Sequence, residues 1–209
     1  LDAFYYSFIA LTTIGFGDIT PQTELGKMLT VVFGLIGLGG IGAALVKRLK
    51  AFDVHLIGIK QSNHKAAMEK LGMDWVGGIE NLKELLSGSD FVILCLLMTP
   101  ESRNLIDHNA LSLMKKGAFL INLSRGGIVD RNALEDALAS GKIAGAGLDV
   151  FWEEPPDPND PIFNYNVMAT PHIAGSTDVS MMGIVNVVAE NIRSLEKNLE
   201  PLYINRSDI

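Results

Sequence analysis

The sequence predicts a doubly wound α/β fold built on a parallel sheet, and three observations carry that expectation. Short apolar runs at 31–36, 54–59, 91–96, 118–123 and 143–148 have strand length and are apolar on both faces, as strands covered by helices on each side must be. Segments of helical period lie between them, at 41–51, 64–71, 79–86, 109–114 and 131–139, and such alternation returns the chain to one sheet through right-handed crossovers. Apolar residues make up 48% of the 209, enough for a substantial core and too many for a disordered chain.

Past the fifth strand, residues 152–166 are rich in proline, aspartate and asparagine and read as a surface loop. The loop ends in a short strand at 167–170 that leads to Pro171-His172. Residues 178–198 then show a long helical pattern, with Met181, Ile184, Val185, Val188, Ile192 and Leu195 on one stripe. The formal charge of −7 is spread over both signs with no basic stripe, so nucleic acid is not expected as a partner. Cys95 is the single cysteine, which excludes an intrachain disulfide. Lying in an apolar run, it reads as a small core residue rather than a nucleophile, in a reducing, cytoplasmic setting. No metal site is assigned. The chain opens on Leu1 with no basic stretch ahead of an apolar one, so it reads as part of something longer, without a secretion signal.

Gly37-Leu38-Gly39-Gly40-Ile41-Gly42 follows an apolar strand and opens a helix, the context in which GxGxxG binds a dinucleotide. Gly37 permits the tight turn, Gly39 lets the backbone approach a pyrophosphate, and Gly42 lets helix and strand pack closely, while the helix amino terminus, with Gly40 and Ile41, faces the anion. An acidic residue usually closes the second strand and grips the ribose of NAD. Here that position reads Ile59-Lys60-Gln61-Ser62. Lys60 is read as a partner for a 2'-phosphate, against the alternative of a solvated surface lysine, and NADP(H) is expected to be preferred over NAD(H).

Arg125 follows a strand and is flanked by Ser124 and Gly126-Gly127, which puts a guanidinium at the carboxyl edge of the sheet. Its planar fork suits a substrate carboxylate and the neighbouring carbonyl oxygen; the alternative is an arginine in a surface turn. His172 offers an imidazole that titrates near neutrality, the natural proton donor to a carbonyl receiving hydride. Glu154, on the preceding loop, is expected to hold the other ring nitrogen. Arginine, glutamate and histidine together favour catalysis over a structural histidine. His55, His64 and His108 are assigned no role.

These segments, with Asn122-Leu123-Ser124-Arg125-Gly126-Gly127, Gly147-Leu148-Asp149-Val150-Phe151, Glu154-Pro155 and Thr170-Pro171-His172-Ile173-Ala174-Gly175, make residues 25–209 resemble the NAD-binding half of the D-isomer-specific 2-hydroxyacid dehydrogenases. The resemblance implies a Rossmann-like sheet, hydride transfer between a nicotinamide and a small 2-oxo or D-2-hydroxy acid, and a homodimer. It further implies that Arg125 orients substrate, that His172 paired with Glu154 is the acid/base, that Asp149 holds the nicotinamide carboxamide, and that Leu97, Thr99, Leu123, Ser124 and Gly175 line the cofactor groove. The family usually has proline at the position of Leu97. The segmentation expected is a dinucleotide-binding domain at 25–177 and a helix at 178–209 returning toward a substrate domain that the chain lacks.

Residues 2–24 give a different signal, resembling a potassium channel's pore helix through Asp2-Ala3-Phe4-Tyr5-Tyr6-Ser7-Phe8 and its filter through Thr12-Thr13-Ile14-Gly15-Phe16-Gly17-Asp18. The only inner helix available to a channel is the 19-residue uncharged stretch 28–46, close to the ~20 residues that span a bilayer. That stretch also supplies the first strand and the phosphate turn. Its five glycines fall where the turn needs them, so residues 1–24 are read as a pore-like remnant joined to a dehydrogenase, with membrane contact expected only if that remnant functions. The competing class is a nucleotide-sensing regulatory domain attached to a channel pore.

Overall fold

The computed structural model describes residues 31–202. They fall into two units, 31–171 and 172–202. The first holds a seven-stranded sheet, with strands β1 (Val32–Ile36), β2 (His55–Ile59), β3 (Trp75–Gly77), β4 (Phe91–Leu94), β5 (Ala118–Asn122), β6 (Ile143–Leu148) and β7 (Val167–Ala169). Their spatial order is β3-β2-β1-β4-β5-β6-β7, with every neighbouring pair parallel. The crossovers carry helices α1 (Gly40–Leu49), α2 (His64–Leu71), α3 (Leu82–Gly88), α4 (His108–Leu113) and α5 (Arg131–Ala139). Strand order reverses between β1 and β4, and at such a switch point the diverging connections leave a crevice at the carboxyl edge.

The apolar strands bury both faces. On one side Phe33, Leu35, Leu56, Phe91 and Ile93 pack with Leu45, Val46 and Leu49 of α1; on the other, Ile36, Val92, Leu94 and Leu120 pack with Leu85 and Leu86 of α3 and Leu134 and Leu138 of α5. Each such side chain contributes about 1.5–3 kcal/mol by leaving water. Register is pinned by an aromatic row across three strands, since Phe33 pairs with Phe91 and Phe91 with Phe119, their rings stacked at 4.8 and 5.2 Å. Helix starts follow side-chain chemistry: Asp107 accepts from the Ala110 N–H and Asp130 from the Ala133 N–H, both at 2.8 Å.

Three differences from the sequence reading have local causes. β3 was not expected, because three residues are too few to show a period; its pairing with β2, Ile57 to Trp75 through Ile59 to Gly77, makes it a strand. The helix expected at 79–86 is a single 3-10 turn, Ile79–Asn81, followed by α3, because Asn81 leaves helical geometry at φ −97° and ψ 16°. The strand expected to reach residue 96 ends at Leu94, where the Ser124 side chain takes over the backbone pairing. Of the stretch 28–46, long enough to invite a membrane helix, the described residues 31–46 supply β1, a turn and the start of α1. Among the described residues no helix is long and apolar enough to cross a membrane. Residues 1–24, with the pore-like motif, lie outside the described residues.

The second unit opens at His172 and is dominated by α6 (Asp178–Glu196), started by a capping box in which Thr177 and Ser180 exchange hydrogen bonds. Its apolar stripe, Met181, Ile184, Val185, Val188, Ile192 and Leu195, is exposed.

Candidate active site

The parallel sheet brings the carboxyl ends of its strands to one edge, so the residues that follow each strand share it. After β1 the chain turns at Gly37, whose φ of +101° is open to glycine, and a Cβ there would sit 2.5 Å from the Cys95 carbonyl oxygen. A Cβ on Gly42 would collide with the Gly37 carbonyl, so both positions are closed to larger residues. Gly39 and Gly40 differ: a Cβ on either would meet nothing within 4 Å. α1 starts without a side-chain cap, and the Ala43 N–H bonds back to the Gly39 carbonyl at 2.9 Å. The amides ahead of it, Gly40 to Gly42, belong to the turn whose N–H groups emerge from a helix end carrying partial positive charge. Open space above Gly39 and Gly40, with a helix start behind them, is what a pyrophosphate requires. Lys60, half-buried, follows β2 on the same edge, its N–H on the Gly77 carbonyl at 3.0 Å.

From β4 the chain runs directly past this turn. The Cys95 N–H donates to the Ile36 carbonyl at 2.8 Å, and burial pushes the Cys95 thiol up to about 12, so it stays a thiol at neutral pH. The Ser124 hydroxyl donates to the Leu94 carbonyl at 2.9 Å and accepts from the Leu96 N–H at 3.0 Å. Ser124, expected as a groove residue, thus spends its side chain tying the ends of β4 and β5 together. Leu97 stands 85% exposed beyond it. The Thr99 hydroxyl holds the Glu101 carboxyl below the usual carboxylate range.

Arg125 leaves the end of β5 on a turn made by Asn122. The Asn122 amide donates to the Arg125 carbonyl at 2.9 Å and accepts from the Ser124 N–H at 3.0 Å. The exposed Arg125 guanidinium donates from Nη1 to the Ser124 carbonyl at 2.7 Å, leaving further N–H groups for a bidentate ligand. Gly126 packs so closely under the Phe151 carbonyl that no Cβ fits, which brings the start of the Glu154 loop against the arginine turn. The Trp152 indole N–H donates to the Val129 carbonyl at 2.6 Å, fastening the same pair of segments. The Glu154 Oε1 accepts from the Phe151 N–H at 3.0 Å. Farther along, Arg131 holds Asp160 at 2.5 Å and Glu135 at 3.0 Å, and the hydrogen bond from Arg131 lowers the Asp160 carboxyl pKa. Asp149, 3% exposed, accepts from the Thr170 hydroxyl at 2.6 Å, which joins β6 to the end of β7.

His172 belongs to the second unit. Its backbone is in the left-handed region at φ 54°, an uncommon conformation for a residue with a side chain. Gly175, in the same unit, accepts on its carbonyl from the Thr177 N–H at 3.0 Å and from the Ser180 hydroxyl. The first unit therefore gathers Gly37 to Gly42, Lys60, Leu97, Thr99, Leu123 to Arg125 and Asp149 along one edge, with Glu154 on the loop that follows. Sequence reasoning missed Asn122, Ser102 and Trp152. Only Asn122 carried a signal, an asparagine at a strand end before a turn.

A phosphate-ready turn at the switch point and an arginine turn two strands along define a Rossmann-like nucleotide-binding domain. A sequence profile described as D-isomer specific 2-hydroxyacid dehydrogenase, NAD binding domain, matches residues 14–174, and the chain belongs to that family. The match begins inside the segment that the pore-like reading claimed. D-3-phosphoglycerate dehydrogenase of Methanocaldococcus jannaschii is 41% identical over 162 residues, 78% of this chain and 30% of that protein. Glyoxylate reductase of Pyrococcus horikoshii is 40% identical over 178 residues, 84% of this chain and 52% of that protein. The chain thus spans about a third to a half of the length of these curated relatives. A D-isomer specific 2-hydroxyacid dehydrogenase from Xanthobacter autotrophicus Py2, in complex with NADPH and MES, superposes with a TM-score of 0.76 at 30% identity over 98% of this chain and 63% of its own. The NAD complexed form of the Lactobacillus delbrueckii enzyme gives 0.70 at 28% identity, over 84% and 56%.

Proposed function

We propose that this chain is the cofactor-binding part of an oxidoreductase that interconverts a small 2-oxo acid and its D-2-hydroxy acid. The observation that carries the reading is the turn at Gly37 to Gly42, closed to side chains where it packs and open where a pyrophosphate would approach. A nicotinamide bound at this edge would supply or accept the hydride. Arg125 grips the substrate carboxylate and carbonyl oxygen in one plane, and His172, oriented by Glu154, exchanges the proton with that oxygen. Asp149 would hold the nicotinamide carboxamide. The left-handed backbone at His172 supports a chemical role, since uncommon conformations gather where side-chain aim matters.

NADP(H) is the proposed cofactor, because β2 is followed by Lys60 with no carboxylate to repel a 2'-phosphate; the relatives named above include both an NADPH and an NAD complex. The exposed stripe of α6 supports a helix that returns toward the substrate domain of longer relatives. A fluorescence titration with NADPH and NADH, followed by an assay of NADPH oxidation with glyoxylate or hydroxypyruvate in the gene's full-length product, tests the whole reading. NADPH is expected to bind more tightly, and His172→Ala to lose at least about a hundredfold in kcat with cofactor affinity unchanged. Tighter NADH would overturn the cofactor preference, and unchanged turnover in the variant would remove His172 from the mechanism.

A further inference from the structure

Residues 95–104 bridge the two functional turns of the first unit. At one end, the Cys95 carbonyl and Leu96 N–H lie against the Gly37 turn. At the other, Met98 Cε and Sδ lie 3.1 and 3.2 Å from where a Gly127 Cβ would stand, and the Asn104 N–H donates to the Gly127 carbonyl at 2.9 Å. A dinucleotide that reaches from the phosphate turn to a substrate on Arg125 therefore crosses residues 96–98, where Leu97 is 85% exposed. An apolar side chain so open on a short loop needs something to fix it.

Ser102 supplies the constraint. It is 7% exposed, its hydroxyl donates to the Leu97 carbonyl at 2.9 Å, and it accepts from the Thr99 N–H at 2.7 Å. Its own N–H returns to the Thr99 carbonyl at 3.2 Å, closing residues 97–102 into a ring of local bonds. We propose that Ser102 is a cofactor-positioning residue, its hydroxyl clasping this loop so that Leu97 presents an apolar face to the dinucleotide between the phosphate turn and the arginine turn. The inference rests on the dinucleotide reading of the site and adds a residue to it. It requires no free group on Ser102, whose hydroxyl acts through Leu97 and Thr99.

The test is NADPH affinity of the intact chain, measured by fluorescence titration for the wild type, Ser102→Ala and Ser102→Thr, with amide hydrogen exchange at Thr99 read in parallel. Ser102→Ala is expected to weaken NADPH binding by about three- to tenfold and to speed exchange at the Thr99 amide, while Ser102→Thr, which keeps the hydroxyl, stays within about twofold of wild type. Affinity unchanged in Ser102→Ala would overturn the proposal and leave the dinucleotide reading standing. Failure of the wild type to bind either NADPH or NADH would overturn both. Should Ser102→Ala not fold, Leu97→Ala removes only an exposed side chain; the same loss of affinity supports the proposal and an unchanged affinity refutes it.

Discussion

Asn122 is 1% exposed and commits both ends of its amide to the turn that carries Arg125. Replacing it by alanine strands the Ser124 N–H and the Arg125 carbonyl in surroundings with little water. The expected cost is about 1–3 kcal/mol in a urea melt, together with weaker retention of a 2-oxo acid by a loosened arginine turn. A melt identical to wild type would show that water substitutes freely there. Residues of this kind mark the limit of reading from sequence. Gly37 and Gly42 were legible as packing positions because glycine at a fixed spacing after an apolar strand has few other uses, and the place of Arg125 at the end of a strand followed from the apolar run before it. Asn122, Ser102 and Trp152 were not, because an amide, a hydroxyl or an indole says nothing until its partners are known, and those partners are backbone groups that every residue has.

At the scale of elements, the loop that carries Glu154 is held at both ends. Trp152 fastens its start to the Val129 carbonyl, and Arg131 fastens Asp160, whose carboxylate also caps the 3-10 turn Pro161–Asn164 by accepting from the Ile162 N–H at 3.0 Å. Because the Arg131 hydrogen bond lowers the Asp160 pKa in the folded chain, the unfolded chain takes up this proton first as pH falls. The bond's contribution is therefore full above the ordinary carboxylate value of about 3.9 and fades as pH drops toward the lower folded value. Asp160→Asn is expected to lower Tm near neutral pH and to flatten its fall below about pH 4 relative to wild type; parallel Tm curves for the two proteins would contradict this. Element reading from sequence succeeded where periods were long, as in α2, α5 and β6, whose bounds match the expected ones. It missed β3, whose three residues become a strand only by pairing with β2.

For the whole molecule, the reversal of strand order between β1 and β4 organises everything else: it opens the crevice, places Gly37 against Cys95, and sets Arg125 two strands away on the same edge. The alternation of apolar runs and helical segments foretold that sheet, and within the stretch 28–46, ambiguous by hydropathy alone, the described residues 31–46 form a strand, a turn and the start of a helix. The central claim is that this turn receives the phosphates of a nicotinamide dinucleotide. Backbone amide NMR of the isotope-labelled chain, recorded as NADPH is added, tests it most directly. The largest shifts are expected at Gly39, Gly40, Ile41 and Gly42, with smaller ones at Leu97 and Arg125; an unshifted glycine turn, with NADPH bound elsewhere or not at all, would contradict the account.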